Sequence, residues 1–296
     1  MSPRTASRLQ IIAAALLFST GGAAIKAASL TSWQVASFRS GVAAATVLLL
    51  VPAARRGWTW HVLPVGVAYA ATMVLFVLAN KLTTSANTIF LQSTAPLYIL
   101  LLSPFLLRER IRRGDVAFMA VVGAGLLMFL LGANQPLATA PDPGRGNVLA
   151  LLSGLAWALT VIGLRWMGGR GEGSAIPTVV AGNAIAFLVC LAPALPVGHA
   201  TTADWLVIGY LGVFQIAVAY LFVSAGIRHV PALEASTLLL VEPALNPVWA
   251  WLVHGERPGT WAICGGVLIM AATAAKTWWD ARNAPRASDT PAPAPP

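Results

Sequence analysis

Charged side chains are scarce in this sequence. Asp, Glu, Lys and Arg make up 10% of its 296 residues, whereas hydrophobic residues make up 57%. A soluble globular chain carries about 25% charged residues, so the composition excludes a protein whose only solvent is water. It indicates an integral membrane protein in contact with a lipid bilayer.

Residues typical of metal sites and enzymes are sparse as well. The two cysteines, Cys190 and Cys264, lie inside apolar runs, and the four histidines lie near the ends of such runs. We therefore expect neither a disulfide framework nor a metal site. The sequence contains no G-x-x-x-x-G-K-[ST], H-E-x-x-H or G-x-S-x-G segment. These absences predict a protein that is not an enzyme, uses no cofactor and does not pump with ATP.

Long apolar runs fill most of the chain. A helix needs about 20 predominantly apolar residues to cross a bilayer. The runs are continuously apolar and do not alternate, which favours helices over the strands of a membrane barrel. The predicted fold class is therefore an all-α integral membrane protein with ten transmembrane helices. They lie near residues 9–29, 33–53, 62–80, 86–107, 115–132, 147–167, 177–197, 204–227, 232–252 and 260–279.

The basic residues predict how the chain is oriented. The net charge is +9, and with a cytoplasmic N-terminus fourteen of the 19 Lys and Arg residues fall at cytoplasmic helix ends. This asymmetry matches the positive-inside rule and places both termini in the cytoplasm. The charge therefore indicates orientation, and nucleic acid is not an expected partner. The fourteen are Arg4, Arg8, Arg55, Arg56, Arg108, Arg110, Arg112, Arg113, Arg165, Arg170, Arg228, Lys276, Arg282 and Arg286.

An internal repeat relates the two halves of the chain. The fourth and ninth helices match at a shift of 147 residues, and the first and sixth match at a shift of 139. Each half has five helices, an odd number, so the second half enters the membrane from the opposite side, as in many secondary transporters. The matched pairs are Pro96 with Pro243, Glu109 with Glu256, Phe18 with Trp157, and Lys26 with Arg165. The predicted units are a first repeat at 9–132, an extracytoplasmic linker at 133–146, an inverted second repeat at 147–279 and a disordered Pro/Ala-rich cytoplasmic tail at 280–296.

Three short segments resemble a known family. Phe38-Arg39 lies in the second helix, Ala95-Pro96 precedes Arg108-Glu109-Arg110, and Val241-Glu242-Pro243 precedes Gly255-Glu256-Arg257. In this order, within two five-helix units, they resemble the drug/metabolite transporter superfamily and its EamA branch. Within that branch the chain is similar to YddG-type bacterial amino acid exporters. The resemblance implies export of amino acids, aromatic ones or a broad range, by alternating access.

The sharpest candidate site residue is Glu242, about halfway along the ninth predicted helix. An ionised carboxylate at that depth costs on the order of 2.5 kcal/mol or more, so it is expected to be paired, protonated or in contact with water. Pro243, Asn246 and Pro247 interrupt the same helix, and interrupted helices are where transporters build binding sites. Glu242 is therefore either a ligand for a substrate amine or a proton carrier, or else a structural acceptor at the kink.

The remaining candidates are polar or aromatic side chains within predicted helices. Arg39 is suited to a substrate carboxylate, or to snorkelling toward an interface. Trp157 and its repeat mate Phe18 form either an apolar wall or ordinary core packing. A wider set could line the cavity or form interhelical hydrogen bonds. These residues are Ser19, Asn80, Gln92, Tyr98, Gln215, Tyr220, Ser224 and Asn246, with Pro96, Pro243 and Pro247 as helix breaks.

The leading hypothesis is a secondary active or facilitative exporter of amino acids and related metabolites. A nucleotide-sugar or organophosphate exchanger is the first alternative, but phosphate recognition should need several buried cations, and essentially Arg39 alone lies well inside a helix. A membrane scaffold or sensor that transports nothing is the second. The expected partners are a small-molecule substrate and lipid, and a monomer is the expected state.

Overall fold

The computed structural model describes residues 2–106, 111, 113–131, 136–168, 175–227, 229–230 and 232–282. Within those ranges the chain is helical, and its sole bridge between extended residues joins Leu137 to Ala140. The predicted all-α class is confirmed. The helices are α1 (Pro3–Ser19), α2 (Gly21–Ala27), α3 (Ser32–Leu50), α4 (Val62–Leu82), α5 (Ser85–Gln92), α6 (Ala95–Leu106), α7 (Arg113–Leu131), α8 (Pro143–Gly168), α9 (Ala175–Ala194), α10 (Thr202–Tyr210), α11 (Ala219–Gly226), α12 (Ala232–Leu239), α13 (Val241–His254) and α14 (Thr260–Arg282).

Eight helical runs of the described chain are long and apolar enough to cross a bilayer. Three of them combine shorter helices: α1 with α2, α5 with α6, and α10 with α11 through a π-helical segment at Leu211–Val218. The two other predicted runs, near 115–132 and 232–252, are helical as α7 and as α12 with α13. Each of the ten predicted apolar runs therefore contains helix in the described part of the chain.

Some boundaries differ from the predicted ones. Helix α8 begins at Pro143, four residues before the predicted start, because proline is well accommodated at the first position of a helix. The segment expected as a linker is correspondingly shorter, and α14 continues to Arg282. Several residues discussed above lie outside the described residues: Arg108, Glu109, Arg110, Arg112, Arg170, Arg228 and the tail at 283–296.

The two halves of the sequence are interleaved. The most extensive helix contacts join α4 to α8 and α9, α3 to α9, α7 to α14, and α1 to α11, and each of these pairs takes one helix from either half. Glycines allow some of the approaches, because a Cβ atom added to Gly182 would lie 2.4 Å from a ring carbon of Tyr69. Any cavity at the centre of the bundle is therefore bordered by both halves.

Four interruptions break the helical runs, at Thr20, at Ser93-Thr94, at Leu240 and along the π-helical segment. At two of them a hydroxyl donates to a carbonyl of the preceding turn: Thr20 Oγ1 to Leu17 at 2.7 Å and Ser93 Oγ to Ile89 at 2.7 Å. Such side-chain bonds compete with the backbone ladder and locally disturb a helix. The interruptions free backbone groups inside the helical runs, and at these two positions a side-chain hydroxyl pairs with one of the carbonyls.

We expect Gly212→Ala to destabilise the protein. A Cβ atom at this position would lie 2.6 Å from Val42 Cβ and 2.8 Å from the Arg39 carbonyl oxygen, so α3 or the π-helical segment must shift, at a cost of about 1–3 kcal/mol. Gly209, one turn earlier, has no atom within 4 Å of its added Cβ and provides the matched control. Thermal unfolding in detergent should show a lower midpoint for Gly212→Ala only. Equal midpoints for the two variants would contradict the packing described.

Candidate functional site

A central cavity of about 200 Å³ lies where the two halves meet. Every helix interruption contributes a lining residue within a few positions, so the breaks and the cavity occur together. The first half supplies Phe18, Arg39, Thr72, Met73, Phe76 and Gln92, and the second supplies Trp157, Gln215, Ile216, Tyr220, Val223, Leu239 and Glu242.

Arg39 brings a positive charge to this cavity from α3. The residue is 1% exposed, and its Nη2 donates to the Met73 carbonyl oxygen at 3.0 Å. Its Nε has no hydrogen-bond partner, and no ion pair with it is found among the described side chains. A buried cation without a counter-ion is unfavourable, so Arg39 is well suited to an anionic group that enters the cavity.

Glu242 brings the negative charge from the opposite half. It is the second residue of α13, just beyond the interruption at Leu240. In the described part of the chain its carboxylate makes no hydrogen bond and no ion pair, and no bond across the kink is seen. The partial positive charge at a helix N-terminus favours a carboxylate at this place. What the carboxylate lacks is a cationic or donor partner.

Aromatic side chains form one wall of the cavity. Phe18 meets Tyr220 edge to face with ring centroids 5.2 Å apart, and Tyr69 lies 5.8 Å from Tyr220 on its other side. Tyr69 is itself held by Asn183, whose Nδ2 lies 3.4 Å from the tyrosine hydroxyl and 2.9 Å from the Val179 carbonyl. This second layer fixes the position of Tyr220.

Two glutamines supply neutral polar groups. Gln92 Nε2 donates to Ser153 Oγ at 2.7 Å, and that hydroxyl donates to the Thr72 carbonyl at 3.1 Å, so the Gln92 amide is held by a chain of hydrogen bonds. Gln215 lies in the π-helical segment, and its Oε1 has no partner among the described residues. The cavity thus combines two charges, two amides and aromatic surface.

The structure brings seven of the predicted site residues to this cavity. They are Glu242, Trp157, Arg39, Gln92, Gln215, Tyr220 and Phe18. Because these residues lie far apart in sequence, the cavity depends on the interleaved packing of the halves.

Three predicted residues have other surroundings. Asn80 is fully buried and its Nδ2 donates to the Phe76 carbonyl one turn earlier. Ser224 borders a gap of about 20 Å³ on a different side of Tyr220. Ser19 Oγ donates to the Leu16 carbonyl at 2.7 Å and accepts a hydrogen bond from Trp249 Nε1 at 2.9 Å. Each belongs to packing around the cavity.

The other predicted positions lie along interrupted runs. Asn246 is fully buried in α13, and Tyr98 lies in α6, beyond the break that separates it from Gln92. Neither is among the residues that line the cavity. Pro96 and Pro243 fall within the first three residues of α6 and α13, directly after the two breaks, while Pro247 lies inside α13.

Sequence reasoning missed several lining residues, namely Thr72, Met73, Phe76, Ile216, Val223 and Leu239. Thr72 carried a signal, since it is a hydroxyl within a strongly apolar helix. Met73 carried no such signal, because it takes part through its backbone carbonyl, which accepts a hydrogen bond from Arg39.

Comparison with known proteins identifies relatives of this chain. The model of the EamA-like transporter family matches residues 7–131 and 144–276. The pseudopaline exporter CntI of Pseudomonas aeruginosa strain UCBPP-PA14 is 26% identical over 270 residues, which cover 89% of this chain and 93% of that protein. The uncharacterized transporter YyaM of Bacillus subtilis strain 168 is 24% identical over 202 residues, covering 66% and 65%. A crystal structure with 20% identity superposes with a TM-score of 0.63 over 95% of this chain and 99% of that one, which shows a shared fold.

If the cavity holds water, we expect a cysteine at Val223 to react with a small polar thiol reagent. Val223 lines the cavity, whereas Ala219, one turn earlier on α11, is fully buried and does not. In a background with Cys190→Ala and Cys264→Ala, Val223→Cys should be labelled at least tenfold faster than Ala219→Cys in detergent. Equal labelling rates would show that this face of α11 does not border an aqueous space.

Proposed function

This chain belongs to the EamA-like transporter family, and from that membership we propose that it exports zwitterionic metabolites of the amino acid type across the bacterial inner membrane. A relative named for the export of pseudopaline supports the outward direction. We include amino acids with aromatic side chains among the proposed substrates.

The observation that carries this proposal is the pair of charges in the central cavity. Arg39 and Glu242 line the same space, and neither has an oppositely charged partner among the described side chains. An amino acid presents a carboxylate and an ammonium on one carbon. The guanidinium is suited to bind the carboxylate through two parallel hydrogen bonds, and Glu242 is suited to accept from the ammonium.

The rest of the cavity supports a small substrate with an apolar side chain. Its volume of about 200 Å³ is below the roughly 300–1,000 Å³ of pockets that hold drug-sized ligands. Phe18, Phe76 and Trp157 supply apolar surface. Among the lining residues Arg39 is the sole Lys or Arg, so phosphate groups would find a single cation. This disfavours the nucleotide-sugar and organophosphate alternative.

We propose that transport occurs by alternating access between two inverted five-helix repeats. The two segments matched by the family model and the cavity between the halves support this mechanism. The loops at 28–31, 83–84, 136–142, 195–201 and 255–259, together called the outer loops, would then face the periplasm, with both termini in the cytoplasm.

Substitution of either cavity charge should reduce export. A hydrogen bond to a charged group contributes about 1.5–3 kcal/mol, so Arg39→Gln and Glu242→Gln should each lower efflux by roughly ten- to a hundredfold in proteoliposomes loaded with radiolabelled amino acids. Glu234→Gln is the matched control, because Glu234 pairs with Arg4 and Arg8, whose side chains are largely exposed, and such pairs contribute little. Undiminished efflux by an Arg39→Gln/Glu242→Gln double variant would refute the assignment.

Glu242 also provides a route for proton coupling. A single carboxylate holds either a proton or the substrate ammonium, so protonation on one side and release on the other would exchange protons for substrate. Export from right-side-out vesicles should then accelerate when the external pH is lowered, and Glu242→Gln should abolish this response while Asp142→Asn retains it. Wild-type export that does not change when the pH gradient is collapsed would indicate facilitated diffusion.

A further inference from the structure

A second pair of opposite charges lies near the outer loops, away from the cavity. Lys26 is at the end of α2, and Glu256 follows α13 after the left-handed Gly255. Lys26 Nζ and Glu256 Oε2 are 3.1 Å apart, and the two side chains are only 4% and 1% exposed. The pair therefore joins the first half to the second half in a dry environment.

Backbone groups complete the surroundings of this ion pair. Lys26 Nζ donates to the carbonyl oxygens of Thr83, at 2.8 Å, and Thr139. Glu256 Oε1 accepts from the Ser85 N–H at 2.5 Å. The ammonium thus donates to two carbonyls and contacts Glu256 Oε2, which makes no hydrogen bond of its own among the described residues. Two side chains thereby tie together three of the outer loops.

The ion pair lies to one side of the cavity. Helix α13 ends at His254, twelve residues beyond Glu242, which corresponds to about 18 Å along a helix at 1.5 Å per residue, and Glu256 follows that end. Lys26 is likewise eight residues beyond Phe18, or about 12 Å. A molecule that leaves the cavity toward the outer loops must therefore pass the level of this pair.

Tight helix contacts separate the cavity from the pair. A Cβ atom added to Gly22 would lie 2.7 Å from Asn246 Oδ1 and 2.9 Å from Ser85 Oγ, so α2, α5 and α13 meet at Gly22. At the next residue of α2, His254 Nε2 lies 2.8 Å from the Ala23 carbonyl oxygen. These three helices leave little room for a solute at this level.

We propose that the Lys26–Glu256 ion pair is the gate that closes the transport path toward the outer loops, and that its separation opens the cavity on that side. The inference rests on the alternating access proposed above. A buried ion pair is stable when its partners are in contact or when water reaches both of them, while a dry, separated pair is strongly unfavourable. Such a pair favours two distinct states, closed and open, over intermediates.

The gate can be tested by the accessibility of the cavity. Cells expressing Val223→Cys in the Cys190→Ala/Cys264→Ala background receive a membrane-impermeant thiol reagent from outside. The proposal predicts that adding Glu256→Gln, which leaves Lys26 without its counter-ion, raises the labelling rate at least tenfold. Glu256→Asp is the conservative control, because it keeps the carboxylate that pairs with Lys26, and its labelling rate should stay nearer to the parental rate. A merely structural role predicts a lower melting temperature with unchanged labelling from outside, and that result would overturn the proposal.

A crosslink provides a second test, in which a covalent link takes the place of the ion pair. In the same cysteine-free background, Lys26→Cys/Glu256→Cys is joined by a short bifunctional methanethiosulfonate, and Lys26→Cys alone, treated identically, is the control. Crosslinking should abolish amino acid efflux from proteoliposomes, and reduction should restore it. Efflux by the crosslinked protein at the uncrosslinked rate would exclude the gate.

The two tests separate the gate from the proposed substrate. Labelling of Val223→Cys requires no substrate, so it reports on the gate even if no amino acid is transported. If the unmodified protein moves none of the amino acids, the substrate assignment fails while the labelling result still decides the gate. If the crosslinked protein exports amino acids normally, the gate fails and the substrate assignment stands.

Discussion

Lipid offers no hydrogen bonds to an exposed peptide group, and this constraint determines where the chain can depart from a regular helix. The departures at Thr20, Ser93-Thr94 and Leu240, and the π-helical segment, all occur beside the central cavity. There a hydroxyl, another polar side chain or a bound molecule can form the hydrogen bonds that the helix backbone no longer makes. Residues at or beside these breaks line the cavity. The bilayer therefore restricts the breaks to the interior of the bundle, and there they create the site.

Interleaving of the two halves gives this site its chemistry. Arg39 comes from the first half and Glu242 from the second, and each would be costly to bury alone. Helices α3, α4 and α1 pack mainly against helices of the opposite half. Under the proposed alternating access, relative movement of the halves would change the spacing of these two charges. A zwitterion that bridges them would bind one spacing better than another, which is the differential affinity by which a ligand shifts a conformational equilibrium.

The sequence predicted the fold well because the bilayer imposes a strong and simple pattern. Apolar runs of spanning length identify the helices, and charges within them, at Arg39 and Glu242, identify the cavity. Rotation about each helix axis is set by packing and is not visible in composition. For this reason Asn80 and Tyr98 were grouped with Gln92 although the cavity is lined by Gln92 and not by them. The pairing of Lys26 with Glu256 was not predicted, because the two residues lie 230 positions apart in the sequence.

Ion pairs of very different burial hold the bundle together. Glu234 contacts Arg4 and Arg8, whose side chains are 57% and 44% exposed, and surface pairs of this kind are worth about 0–1 kcal/mol. The Lys26–Glu256 pair is dry, and parting it without water would cost several kcal/mol. At the end near Glu234, however, Lys276 also pairs with Asp115 at 2.9 Å, and these side chains are only 15% and 8% exposed. Opening at either end therefore needs a compensating interaction. Binding of a zwitterion between Arg39 and Glu242 provides this interaction if the zwitterion makes better contacts in the state that is open toward the outer loops. Opening on that side would then depend on an occupied cavity.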